Sequence, residues 1–417
     1  MSEWKETELG LAPIDWLELT VNELVEMDII YKPLDGNHGN IHPKGSDFVK
    51  SGIPFIMASD IKNGKVDILN CSFISQEQAN ALQKGFSITN DVLLTHKASL
   101  GRTAIVGNLK IPYIMLTPQV TYYRVKDYTK LSNVYLKYFF DSPAFQGVLE
   151  NHGNSGSTRA YVGITAQREL PILLPDIEIQ YAIASVLSSL DDKIDLLHRQ
   201  NATLEKMAET LFKQWFVEEA KEEWEMGCIA DICTHHKASV QPQKNPTKEY
   251  YHYSIPAFDN NKNLNVELGG AIQSNKYLVP QYCILFSKLN PHKDKRVWLL
   301  QNEVEDNSIC STEFQVVLPK KRTHLYFIHG WLSYSANYNE IASGVGGTSG
   351  SHQRIDPSII FNFQCPIIDD IYIEKYNGTA EPLYQKTLIN QAQICTLTQL
   401  RDTLLPKLMS GEVRVEI

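Results

Sequence analysis

Residues 176–217 read DIEIQYAIASVLSSLDDKIDLLHRQNATLEKMAETLFKQWFV, a stretch with neither proline nor glycine. Apolar side chains fall at Ile183, Leu187, Leu190, Ile194, Leu197, Leu204, Ala208, Leu211 and Trp215, the alternating four-three spacing of a heptad seam, broken only at Asn201. A single amphipathic helix ordinarily packs on its own neighbouring domain. A seam kept for about five heptads fits another helix better than a globular surface, and about 40 residues at 1.5 Å each predict a rod of roughly 60 Å.

A second helical pattern begins near Pro382 and shows Leu383, Thr387, Ile394, Leu397, Leu404 and Leu408 before Ser410-Gly411, where glycine suits a helix end. Pro406 is expected to kink its last turns. Internal repetition links the two stripes: Leu204–Phe212 matches Leu397–Leu405 at an offset of 193. Upstream, Val134–Ser142 parallels Leu325–Ser333, Asn154–Ser157 parallels Thr348–Ser351, and Leu93–Lys97 parallels Ile284–Lys288, all at offsets between 191 and 194. Four matches in one order at nearly one spacing indicate a duplication of a globular unit followed by a helix.

The 417 residues are 43% hydrophobic, enough for two or three domains with real cores. No apolar run approaches the roughly 20 residues of a membrane span and the first residues lack a signal-peptide layout, so a cytoplasmic location is expected. Seven scattered cysteines without a C-x-x-C pair suggest reduced thiols rather than disulfides or a zinc ribbon. The net charge of −9 argues at first against a nucleic-acid partner. Between Asp176 and Glu225, however, twelve acids face five bases, so the acidity is concentrated in one segment and the rest of the chain carries only −2. Elsewhere lie short basic runs that, taken alone, are ordinary solvated faces.

Catalytic signatures are missing. There is no phosphate loop, no H-E-x-x-H, no nuclease cluster and no Asn-Pro-Pro-aromatic or Asp-Pro-Pro-aromatic tetrapeptide of the amino-methylating type. Gly153–Ser157 and Gly347–Ser351 approach a nucleophile elbow, but both lack its final glycine. Cys228, Cys233, His235 and His236 fit no standard zinc spacing, so no metal site is expected. Recurrence of the Ser/Gly loops, followed by Arg159 and Arg354, favours phosphate or base-edge contacts over plain connections.

The organisation resembles the specificity (S) subunit of type I restriction-modification systems over nearly the whole chain. The resemblance rests on Pro171–Pro175 followed by Ile179–Ala184, on Leu204–Phe216, and on Leu400–Glu412. Pro366–Asp369 is a worn second copy of the first of these, and the second helix start at Glu381-Pro382 has no Gln180-like residue in register. What the resemblance implies is an α+β chain: a first target recognition domain at 1–175, a spacer helix at 176–218, a second recognition domain at 219–380 and a helix at 381–417. The two helices are expected to form an antiparallel coiled coil with a pseudo-two-fold internal repeat, Leu187, Ile194, Leu197, Leu204 and Leu211 meeting Ile394, Leu397 and Leu404, with Asn201 fixing register. Each domain would read half of a split double-stranded DNA target, successive major-groove faces lying about 34–36 Å apart per turn. The helices would dock two methyltransferase (M) subunits and, through them, restriction (R) subunits. The chain itself would be non-catalytic and bind no cofactor; S-adenosylmethionine, Mg and ATP belong to those partners. Candidate DNA contacts are His96, Lys97, Arg102, Ser157, Thr158, Arg159 and Tyr161 in the first domain. In the second they are Lys288, His292, Lys293, Lys295, Arg296, Ser351, Gln353 and Arg354. Two alternatives stay open, a specificity protein whose partner fuses restriction and methylation in one chain, and a self-contained DNA-modifying enzyme.

Overall fold

The computed structural model describes residues 3–97, 99–153, 160–346 and 353–415. The chain divides into two compact units, one of Met1–Asp195 with Thr396–Ile417, the other of Leu196–Cys395. In the first unit an antiparallel sheet runs in the order Thr103–Ile105, Val92–Thr95, Val120–Tyr123, Leu34–Asp35. A second sheet runs Ser72–Ile74, Ile53–Ile56, Ile114–Leu116, Phe86–Ser87, its central pair parallel. Val92–Thr95, Ile53–Ile56 and Ile114–Leu116 are buried at every position, as continuous apolar runs covered on both faces should be.

The second unit repeats this plan. Cys233–His236, Phe314–Pro319, Cys283–Ser287 and Val297–Leu300 form the antiparallel sheet. Lys276–Leu278, Ser308–Cys310, Glu249–Tyr253 and Asn265–Leu268 form the other, with Ser239–Val240 added at one edge and again one parallel pair, Glu249–Tyr253 with Ser308–Cys310. Strand order, direction and the position of the parallel pair coincide, so the duplication read in the sequence is a duplication of topology.

Each copy closes on a two-stranded pair, Leu17–Thr20 with Pro171–Leu174 and Glu225–Cys228 with Gln364–Ile367. From these pairs the chain passes directly into the long helices Ile177–Lys213 and Asp370–Met409. Gln180 is wholly buried at the first junction: its amide nitrogen donates to Lys130 O at 2.9 Å and Pro175 O at 2.8 Å, while its oxygen accepts from Ser132 N at 3.0 Å. In the second copy Ile373 stands at the equivalent place and is buried in an apolar core instead.

The second helix therefore begins at Asp370, well ahead of the start read at Glu381-Pro382. Pro382 cannot donate to Gly378 O, which reads locally as a break. Burial of Ile373, Tyr376 and Ala380 outweighs that cost, each large side chain contributing about 1.5–3 kcal/mol. The helix also continues through Pro406 to Met409. Just beyond its end stands Gly411, whose φ of +74° suits glycine and whose Cα faces the Pro13 ring too closely for a side chain.

The two long helices run antiparallel where they meet within each unit. In the first, Leu187 shares a core with Leu404, Leu405 and Leu408, and Arg401 Nη1 donates to Asp191 at 2.9 Å. In the second, Asn390 Nδ2 donates to Asn201 Oδ1 at 2.9 Å, while Trp215 lies against Tyr372 and Phe216 against Tyr376, with ring centroids 5.1 and 4.8 Å apart. Leu187 thus shares a core with Leu404. Leu211 does not: it packs into the core containing Ile373, Tyr376 and Ala380, because in an antiparallel pair repeat-equivalent residues do not face each other. Leu197 and Ile394 are buried in the second unit, whereas Ile194, Leu204 and Leu397 are only half-buried.

A volume exchange accompanies the repeat. Phe139 fills the first core with Leu405 packed against it. At the position equivalent to Phe139 stands Gly330, and the ring of Phe212, equivalent to Leu405, takes the space: a Cβ on Gly330 would lie 2.2 Å from it.

Two outcomes follow for thermal unfolding of the chain. Asn201→Leu should destabilise by about 1–3 kcal/mol, since it leaves the buried Asn390 amide only a long contact of 3.4 Å to Gln200 Oε1, and Asn390→Leu on top of it should recover that loss; equal losses in the single and double variants would refute the pairing. Gly330→Ala should lower the midpoint, overpacking costing about 1–3 kcal/mol, whereas Gly378→Ala, with nothing within 4 Å of the added methyl, should raise stability by about 0.4–1 kcal/mol.

Candidate nucleic-acid interface

Part of the candidate set lies where a central strand of each antiparallel sheet ends. In the first unit that strand, Val92–Thr95, delivers His96, whose backbone N donates to Gln119 O at 3.0 Å and whose O accepts from Val162 N at 3.1 Å. Lys97 then pairs with Tyr161 in an antiparallel bridge. In the second unit Cys283–Ser287 delivers Lys288, which donates to Glu313 O at 2.9 Å and accepts from Ile355 N at 3.0 Å. Leu289 then bridges Arg354, and Asn290 N donates to Gln353 O at 2.8 Å. One backbone ladder is therefore built twice.

The side chains on this ladder differ. Lys97 is exposed, its Nζ 5.7 Å above the Tyr161 ring, and Tyr161 is itself 43% exposed. Arg102 sits on the turn that follows: Thr95 N donates to its O at 2.8 Å, Gly101 supplies a φ of +84°, and its guanidinium donates to Ala58 O at 3.3 Å while remaining exposed. Lys97, Arg102 and Tyr161 thus present charge and an aromatic face at one strand end, a composition that suits phosphate and base contacts. In the second unit Arg354 is half exposed and forks onto Glu313, with Nε to the two carboxylate oxygens at 2.9 and 3.2 Å and Nη2 at 2.9 Å. Lys288 and Gln353 are half-buried beside it, Gln353 N donating to Asn290 Oδ1 at 3.1 Å. Ser157, Thr158, Arg159 and Ser351 lie outside the described residues.

Two candidates are buried. His96 is wholly buried, and burial pushes its imidazole down to about 4, so it is neutral at physiological pH. Its Nδ1 lies 3.0 Å from Val162 O, its ring supports Tyr161 at 5.7 Å, and Nε2 lies 3.9 Å from Asp35. Asp35 is itself buried; burial opposes its ionisation, but the hydrogen bonds from Lys84 and His38 prevail and hold its carboxyl below the usual range. Arg296 is 7% exposed, with Nε and Nη2 donating to Asp259 at 2.6 and 2.8 Å and Nη2 also to Asp294 at 2.8 Å. Neither side chain is exposed in this structure. Lys295 reaches Ser333 O and the Tyr338 ring, and His292 and Lys293 are exposed in the same loop.

Lys293, Lys295 and Arg296 border a cleft of about 1090 Å³ within the second unit, together with Glu205, Glu209 and Asp259. Most of its charge is satisfied internally, Lys262 with Glu205 at 3.3 Å and Glu209 with Lys206 at 2.9 Å and Ser335 at 3.0 Å. Among the described residues no three His, Cys, Asp or Glu side chains are placed to hold a metal. Cys228 Sγ lies 3.2 Å from Asp231, Cys233 is buried, and His235 stacks on Phe361 at 4.5 Å. Sequence reasoning did not single out Glu313, Gln119 or Asp35; their only local mark is polarity beside a strand, and their roles depend on pairing across the sheets.

The repeated architecture has relatives. The chain matches the family described as type I restriction modification DNA specificity domain over residues 13–206 and again over 221–367. It is 26% identical to the type I restriction enzyme MjaIX specificity subunit of Methanocaldococcus jannaschii, covering 100% of this chain and 97% of that one. To the HindI specificity subunit of Haemophilus influenzae it is 24% identical over 52% of this chain and 42% of that one. A crystal structure of the S subunit of a type I restriction-modification system from M. genitalium shares its fold, with a TM-score of 0.57 and 13% identity across 97% of each chain. A duplicated α+β unit with paired long helices, matched by the family model in both copies, makes this chain a member of the type I restriction-modification DNA specificity family.

Proposed function

We propose that this chain is the non-catalytic DNA-reading subunit of a type I restriction-modification complex, each unit reading one half of a bipartite double-stranded target. The observation that carries this reading is the strand-end ladder built twice with different side chains: Lys97, Arg102 and Tyr161 in one copy, Lys288, Gln353 and Arg354 in the other. A constant frame with variable exposed polar groups is what reading two unlike half-sites requires, since backbone geometry sets the position and side chains set the sequence.

The paired helices are the docking ground for methyltransferase subunits, two if the duplicated surfaces are used alike, and restriction subunits join through them. S-adenosylmethionine, Mg and ATP are bound by those partners, in the cytoplasm where the cell's DNA is found. With a net charge of −9 the chain alone supplies little of the electrostatic attraction that phosphate binding needs, so the partners contribute much of it.

Two experiments test this. Exchanging residues 1–175 for the same region of another S subunit should change one half of the methylated motif and leave the other intact, read by methylome sequencing; a folded, assembled chimera that altered both halves or neither would sink the two-module reading. Secondly, the isolated chain should bind DNA weakly and without turnover. Adding M subunits should give specific binding that falls on the order of a thousandfold between about 50 and 200 mM salt. Tight specific binding by the chain alone at physiological salt would contradict it.

A further inference from the structure

Gln119 and Glu313 occupy the same place in the two units, each offering its backbone O to the residue that ends the central strand. Tyr161 and Arg354 likewise occupy one place, each bridged to the residue after that. In the second unit alone this spot therefore pairs a guanidinium with a carboxylate.

An exposed ion pair of this kind contributes little to stability, but it fixes orientation. Nε and one Nη2 hydrogen of Arg354 are engaged by Glu313. The opposite edge, the remaining Nη2 hydrogen with those of Nη1, has no acceptor among the described residues, and the side chain is 46% exposed. That edge carries two parallel N–H donors, the complement of guanine O6 and N7. Because the fork already restrains the plane, less side-chain freedom is lost on binding. A phosphate could use the same donors, yet it would bring negative charge close to the Glu313 carboxylate; a guanine edge is neutral and incurs no such repulsion.

We propose that Arg354, oriented by Glu313, reads a guanine through the major groove in the half-site assigned to the second unit. The inference rests on the DNA-reading function above. Tyr161 and Gln119 offer no equivalent fork, so this guanine reading is confined to one half-site.

The test uses the chain assembled with its M subunits and duplexes carrying its methylated motif. Each guanine of the second unit's half-site is replaced in turn by 7-deazaguanine, which pairs normally and lacks N7. One position should slow methyl transfer by roughly 5- to 150-fold. That replacement should have no further effect in Arg354→Gln. Arg354→Lys should keep methylation but lose preference for guanine at that base pair, and Glu313→Gln should relax the same base pair more weakly, a positional effect that loss of fold cannot imitate. The other half-site should be unchanged throughout. A half-site without a G·C pair, no sensitive guanine, or a uniform loss across all sequences in both Arg354 variants overturns the inference while leaving the DNA-reading function standing. Absence of any motif dependent on this chain overturns both.

Discussion

Each unit is closed by side chains drawn from both long helices, and the antiparallel contact between those helices is the constraint on which the rest depends. In the first unit the contact is apolar and ionic, Leu187 among Leu404, Leu405 and Leu408 with Arg401 on Asp191. In the second it is a buried amide pair followed by a run of aromatic rings. Apolar burial supplies the energy. The Asn201–Asn390 pair supplies register, because any slip along the seam would set a buried amide against hydrocarbon and leave its hydrogen bond unmade.

Duplication gave two copies of one topology, and the copies then solved the same packing problem differently. Beneath the helix contact of the first unit, Lys137 holds Asp141 at 2.9 Å and Asp191 at 3.5 Å, and Tyr138 donates to Asp191 at 2.7 Å. The equivalents of Tyr138 and Asp191 are His329 and Tyr384, 3.3 Å apart between Nδ1 and the phenol oxygen. Burial drives His329 down to about 3, so that contact is uncharged. A charged junction in one copy is an aromatic one in the other. Since a buried ionic network seldom outperforms well-packed apolar groups, the exchange need not have changed stability much. It did make the two halves poor substitutes for one another.

The features legible in the sequence were those with a period. The heptad stripe, the offset of 193 and the first strand-to-helix junction correspond to elements of the structure, while the second helix starts at Asp370 and not at Glu381. What a linear reading could not supply was depth. His96 and Arg296 were read by residue type, which reports a possible charge but not that one ring lies under Tyr161 and the other guanidinium between Asp259 and Asp294. Asn390 sits on the seam between Thr387 and Ile394, yet a polar residue there looks like an interruption until its partner Asn201 is known. Pro382 misled in the opposite direction, as a local breaker overruled by the core that Ile373, Tyr376 and Ala380 enter.

The composition of the first unit also bears on how the protein is made. Its core includes Leu408 and Met409, and residues 396–417 belong to it, although the whole of the second unit lies between them and the rest of that core in the chain. On a ribosome delivering about 5–20 residues per second, Leu408 and Met409 emerge long after Ile183, Leu187 and the rest of that core. Contacts of such sequence separation form late and slowly. The nascent first half therefore lacks only that last part of its core until the chain is nearly complete.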